Sequence, residues 1–257
     1  MYTKPSSPQS IGQVLDGSFR LTAMSFRHVW VYALLAGLAG NAAAIYQFTR
    51  GGPSMAALAA QQDAVYWSLV LAGSLLGVLF MAAIYLRIDA IASGRTDDGN
   101  ALSAALPRWP LLVVAFILYF IAVAVGLVLL IIPGIILMVS LMLCTAVLLF
   151  EDKGPIASLT GSHRLVWGHW WRTLVIMTVG GIIVAVLYLI LGVLGGAIAP
   201  VLAGGDALIV GLVTTVLVLA LAGILITPFF VALGLNVYWD LKLRKEGGDL
   251  AARAQAV

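Results

Sequence analysis

Apolar positions along this chain come in long unbroken runs rather than in alternation, and the runs predict helices. A helix needs about 20 apolar residues to cross roughly 30 Å of hydrocarbon. Runs of that length cover about 29–48, 64–86, 174–198 and 207–235, and a further apolar stretch runs from Trp109 to Phe150 without one charged residue. That stretch, 42 residues long, is too long for one span and fits two, about 109–132 and 134–150. Pro133 and Gly134 near its middle predict a tight turn, because proline lacks an N–H and glycine tolerates turn geometry. Pro200 is expected to close the fifth span and Pro228 to kink the sixth. Barrel strands would alternate every second residue, which these runs do not. The expected fold is all-α and integral to a membrane, with six transmembrane helices as three hairpins. Residues 1–250 form a single polytopic membrane domain, and 251–257 a short tail.

Charge placement sets the expected orientation. Basic residues favour the cytoplasmic side of membrane proteins. With both termini cytoplasmic, 13 of the 14 Lys and Arg fall on that side, and only Arg50 lies opposite. Trp30, Trp109, Trp167, Trp170, Trp171 and Trp239 all fall at cytoplasmic span ends, with Tyr46, Tyr66 and Trp67 at the other interface. Indole and phenol rings settle at headgroup depth, so these residues read as anchors. A cleavable leader is imaginable from Arg20, Arg27 and Ala42–Ala44, but its polar leader would be unusually long, so the segment reads as a retained first span.

Composition agrees: 62% of the 257 residues are hydrophobic and 10% charged, against about 25% charged in a soluble domain. Mean hydropathy is +1.08. This excludes a soluble enzyme domain, a secreted disulfide scaffold and a nucleic-acid-binding module. The net charge of +3 follows from topology, and a basic rim suits anionic headgroups.

Leu15-Asp16-Gly17-Ser18-Phe19-Arg20-Leu21 aligns with Leu159-Thr160-Gly161-Ser162-His163-Arg164-Leu165 at five of seven positions, 144 residues apart. Each copy precedes an aromatic cluster and a span, and a weaker third segment runs from Asn100 to Trp109. Apolar stripes (Ile11, Val14, Leu15, Phe19; Leu102, Leu106, Trp109; Ile156, Leu159, Val166, Trp170) predict a short amphipathic interfacial helix before each hairpin. These helices either fix the angle at which each hairpin enters the membrane or form a collar touching lipid or a partner. Arg20 and Arg164 either snorkel or clamp the modules by pairing with Glu151, Asp152 or a lipid phosphate.

Ile132-Pro133-Gly134, Glu151-Asp152-Lys153-Gly154, Ser158-Leu159 and the Gly161/Arg164/Trp170 segment together resemble the bacterial six-helix inner-membrane proteins related to the membrane domain of glycerophosphoryl diester phosphodiesterases. The resemblance covers essentially the whole chain on short, degenerate motifs. It implies a fold and a location in the bacterial inner (plasma) membrane. It argues against phosphodiesterase activity, which in the family belongs to a separate barrel domain that this sequence does not show.

Chemistry-bearing motifs are sparse. His163 and His169 are spaced unlike an i, i+4 metal pair. Glu151 and Asp152 read as solvated interface residues before they read as a metal site. HExxH, GxSxG and phosphate-binding glycine loops do not occur. Glycines fall instead in packing patterns, Ala36/Gly40, Gly73/Gly77 and Gly192/Gly196. Cys144, the sole cysteine, reads as a buried apolar residue. Asp63, Arg87, Asp89 and Asp206 sit at or near interfaces, and Asn41 is the most polar group well inside a span; coupled ion transport is therefore disfavoured. The expectation is a non-enzymatic protein without cofactor or metal, organising lipid or scaffolding envelope proteins. The alternative is a carrier or channel for a lipid-like or small neutral solute. Partners would be membrane lipids, and a membrane protein or a second copy of the chain; nucleic acid is excluded. The residues singled out as structural or lipid-interface positions are Gly17, Arg20, Pro133, Gly134, Glu151, Asp152, Gly161, Arg164 and Trp170.

Overall fold

The computed structural model describes residues 2–51, 62–95, 100–202 and 207–255. Asp206, and residues 256 and 257 of the expected tail, lie outside them. The described residues form helices and their connections, without strands: α1 (Ile11–Gly40), α2 (Ala42–Gly51), α3 (Ala64–Ala92), α4 (Ala101–Ala105), a 3-10 turn (Leu106–Arg108), α5 (Trp109–Leu129), α6 (Ile131–Leu141), α7 (Cys144–Phe150), α8 (Pro155–Val166), α9 (Trp170–Leu202) and α10 (Ala207–Gln255). Six helical stretches are long and apolar enough to cross a membrane: Ile11–Gly40, Ala64–Ala92, Ala101–Leu129, Ile131–Phe150, Trp170–Val201 and Ile209–Lys245.

The boundaries correct the sequence reading in three places. First, the segment expected as a separate helix before the first span is continuous with it. Ser10 and Gln13 form a capping box at the start of α1, and no Gly or Pro interrupts residues 18–36, so nothing stops the helix at Arg27–His28. Its 30 residues extend about 45 Å at 1.5 Å per residue. The break comes instead at Asn41, inside the expected span 29–48. There the Asn41 backbone N–H (3.1 Å) and side-chain Nδ2 (2.8 Å) both donate to the Gly37 carbonyl.

Second, Pro133 and Gly134 do not make the turn between the third and fourth spans. The turn is Leu130, in extended conformation, and both residues lie in the first turn of α6. Proline is tolerated there because first-turn N–H groups have no helical acceptor. Gly134 is required by packing: a Cβ on it would stand 2.7 Å from the Leu127 nitrogen, and one on Gly126 would stand 2.9 Å from the Gly134 Cα.

Third, the fourth span is two helices, α6 and α7, separated at Met142–Leu143. Only α8 is a distinct helix of several turns ahead of a span; α4 is a single turn of five residues. Gly168, at φ +94°, turns the chain from α8 into α9. Pro200 does not end α9, which continues to Leu202, and α10 runs through Pro228 as one helix.

α1 packs along α10 and α3, α9 along α10, and α5 along α6, with α8 lying against α5, α6 and α7. The dense core is off-centre. It gathers Val14 and Leu21 of α1, Ala82, Ala83, Ile84 and Ile88 of α3, and Val231 to Leu241 of α10, all buried. Around Leu130 the surface is apolar yet open, with Val128 87% and Ile132 72% exposed. Water cannot tolerate such a surface, whereas lipid tails can.

Candidate functional site

Acidic side chains organise the end of the molecule around residues 236–245 of α10. Asp240, 1% exposed, receives the Arg172 Nε (3.1 Å) and Nη2 (3.0 Å), the Arg244 Nε (3.0 Å) and the Gln9 backbone N–H (2.7 Å). Both arginines also donate to the Gln9 carbonyl at 2.6 Å. This cluster ties the segment before α1 to α9 and α10. Asp89, 8% exposed, holds Arg95 at 2.6 Å and Lys4 at 3.4 Å, and the Lys4 ammonium sits 4.7 Å from the Trp239 ring. Tyr2 donates to Asn236 Oδ1 at 2.5 Å.

Glu151 accepts from the Tyr238 hydroxyl (2.9 Å) and pairs with Lys153 (2.7 Å) and Lys242 (3.8 Å). Burial opposes its ionisation, but the hydrogen bonds from Lys153 and Tyr238 and the charges of Lys153 and Lys242 prevail, holding the carboxyl below its usual range. Asp152, at φ +48°, pairs with Arg108, which also donates to the Leu149 carbonyl at 2.7 Å. Glu151 and Asp152, the protein partners in the clamp alternative for Arg20 and Arg164, are paired by other cations. Arg20 pairs with Asp16 one turn away, both exposed. Arg164 is exposed, and its carbonyl rather than its guanidinium is engaged, by Lys245.

Gly17 and Gly161 are packing positions. A Cβ on Gly17 would stand 3.3 Å from Asn236 Oδ1, and one on Gly161 2.9 Å from a Val147 methyl. The following serines, Ser18 and Ser162, are fully buried. Ser162 donates to the Ser140 carbonyl (2.8 Å) and accepts the Leu143 N–H (3.1 Å), bridging the α6–α7 break.

The tryptophans divide. Trp239 is core, 4% exposed, and not the interface anchor expected of it. Trp109 and Trp170 donate Nε1–H to the carbonyls of Leu75 (2.9 Å) and Ile136 (3.3 Å). Trp167 and Trp171 are exposed. Trp167, Trp170 and Trp171 wall a groove of about 920 Å³ whose opposite side is Ile132, Ile135 and Ile136 and whose polar members are His169 and Arg172. His169 Nδ1 is buried without a partner. Burial, and then the nearby Arg244, Lys245 and Arg172, depress its pKa below the usual value. A groove with apolar walls, indoles at its rim and cations behind it suits an amphiphile.

A second cavity, about 410 Å³, lies between α3, α5, α6, α7, α9 and α10 and has Tyr85, Tyr119 and Cys144 in its wall. Among the described residues, no three His, Cys, Asp or Glu come close enough to hold a metal ion. The sequence places Asp89 only near an interface and does not single out Asp240, Asn236 or Tyr85. The i, i+4 spacing of Asn236, Asp240 and Arg244 was the available signal for the α10 cluster, since it places all three on one helix face. Comparison with known proteins returned no matching family model, no matching curated protein and no matching solved structure.

Proposed function

We propose that this chain is a non-enzymatic, multi-pass protein of a bacterial inner membrane that holds and organises lipid at the boundary between hydrocarbon and cytoplasm. The observation that carries the reading is the groove between Trp167–Trp171 and Ile132–Ile136. Its walls match acyl chains, and its indoles match headgroup depth. The resemblance to the six-helix inner-membrane proteins is part of the same proposal, as are three hairpins with both termini cytoplasmic.

The orientation is supported by the gathering of Lys4, Lys153, Arg172, Lys242 and Arg244 around one end of α10. An in-plane setting for α8 is supported by its flanks. Glu151 ahead of it and Arg172 beyond it reach α10 at Tyr238 and Asp240, two residues apart. α8 spans about 18 Å at 1.5 Å per residue, and its two flanks return to the same stretch of α10.

Gentle extraction followed by native mass spectrometry tests the reading. A phospholipid retained at fixed stoichiometry, and lost when Trp167 and Trp171 are both changed to Ala, is the expected result. A stable protein partner with no retained lipid would replace lipid holding by scaffolding. The carrier alternative has one observation in its favour, the second cavity, and predicts solute flux in proteoliposomes.

A further inference from the structure

The 410 Å³ cavity combines features that neither packing nor lipid exposure requires. Its wall includes Met81, Met138, Met142 and Met177, four of the seven methionines in the chain. Thioether side chains are polarizable and flexible, so they reshape around an occupant where branched residues would not. No charged residue lines it.

Four hydroxyls interrupt this apolar wall, on Tyr85, Tyr119, Thr145 and Thr178, and the first of them stands out. Tyr85 is 8% exposed, and its hydroxyl has no hydrogen-bond partner among the described residues. A hydroxyl in an apolar wall is costly unless an occupant pairs with it, and phenylalanine would fill the same space without that cost. Room for the hydroxyl comes from α10, where a Cβ on Gly234 would stand 3.0 Å from it. The cavity also has a mouth. Met138 is 44% and Phe230 41% exposed, and both belong to apolar helices, so access is sideways from the hydrocarbon.

We infer that this cavity binds a lipid-soluble molecule bearing a carbonyl group, which accepts a hydrogen bond from Tyr85. The phenol O–H donates to the carbonyl oxygen that the occupant supplies. Methionine and aromatic walls take its apolar remainder, and the volume lies within the usual 300–1,000 Å³ of small-molecule sites. Two sources carry that chemistry: the ester of a fatty acyl chain and the ring ketone of a prenylated quinone. The inference concerns occupancy alone and stands whether or not the occupant crosses the membrane.

Cys144 lines the same cavity and is the only cysteine, so it reports occupancy directly. The full chain is placed in nanodiscs of ether-linked lipid, which offers no carbonyl, and labelled with a lipid-soluble maleimide. Ester-linked phospholipid or ubiquinone-2 is then added separately. Slowing of Cys144 labelling at least fivefold by one of them is expected, and which one protects identifies the source. Tyr85→Phe should raise the thermal midpoint of the unoccupied protein or leave it unchanged, and keep the unprotected labelling rate, while losing the protection. The inference is overturned if neither compound protects, if protection survives Tyr85→Phe, or if Cys144 fails to label in ether lipid, because a closed cavity admits no occupant.

Discussion

Gly73 of α3 lies directly against the carbonyl of Ala39 in α1: a Cβ there would stand 2.1 Å from that oxygen. Gly77, one turn along the same helix, has nothing within 4 Å of the same construction. The pair read alike in sequence, as two members of one small-residue pattern, yet only the first is a helix contact. Gly40, Gly192 and Gly196 are open in the same way, whereas Gly37 and Gly223 bring α1 and α10 into backbone contact, with a Cβ on Gly37 3.0 Å from the Gly223 Cα. Gly73→Ala should cost about 1–3 kcal/mol, as overpacking does. Gly77→Ala should be neutral or stabilising by up to about 1 kcal/mol through helix propensity. Thermal unfolding in mild detergent separates them, and equal effects would contradict the packing described.

Asp240 and Asp16 provide a similar contrast in electrostatics. Asp240 is buried and serves Arg172, Arg244 and the Gln9 N–H together, whereas Asp16 and Arg20 are both solvent-facing. Removing one partner from a buried ion cluster strands the rest and costs about 3–5 kcal/mol, while an exposed pair is worth about 0–1 kcal/mol. Asp240→Asn should therefore lower the melting temperature markedly, and Asp16→Asn should leave it nearly unchanged. A larger effect from Asp16 would contradict the solvent-facing setting of its pair with Arg20.

What sequence could and could not disclose follows from the range of each interaction. Six apolar runs were legible because hydrocarbon thickness fixes their length, and burial in lipid needs no partner. The turn at Leu130 was not legible. Proline and glycine mark the first turn of a helix as well as a loop, and Gly134 is there to approach Gly126, a contact only the paired helices define. In sequence Asn41 is an isolated polar group within a span, and only the fold shows that its side chain donates to the Gly37 carbonyl. The charged residues at the ends of spans were visible, but the partners of Asp240 come from Gln9 and Arg172 as well as its own helix, and no local pattern links those three.

Acid should destabilise the fold in two steps. His169 has a folded pKa below its ordinary 6.5, first through burial and then through Arg244, Lys245 and Arg172. The unfolded chain thus takes up its proton first, and stability declines as pH falls below about 6.5. Glu151 is also depressed, from an ordinary 4.5, by its lysine and Tyr238 contacts acting against burial. Its contribution is present above that value and is lost as pH falls through the lower folded pKa. In melting curves recorded from pH 8 to pH 3.5, His169→Gln should flatten the upper part of the decline and Glu151→Gln the lower part. A decline unchanged in both variants would assign it to other groups.

Ser162 offers the sharpest test of how the fourth span is built. The helical ladder lapses between Leu141 and Cys144, and the fully buried Ser162 of α8 occupies the gap, donating to the Ser140 carbonyl and accepting the Leu143 N–H. Alanine at this position leaves both backbone groups unpaired away from water, at about 1–3 kcal/mol for a buried unsatisfied group. Threonine keeps the hydroxyl but adds a methyl to a closely packed site, so it should recover only part of the loss. Cysteine, close to serine in size and a weak donor, should fall between serine and alanine. Because the break lies beside Cys144 in the cavity wall, the alanine variant should also raise the labelling rate of Cys144 by a lipid-soluble maleimide. Stability and labelling should change together in the alanine and threonine variants, which add no second thiol; a variant that melts early yet labels at the wild-type rate would show that Ser162 supports α8 without fixing the break.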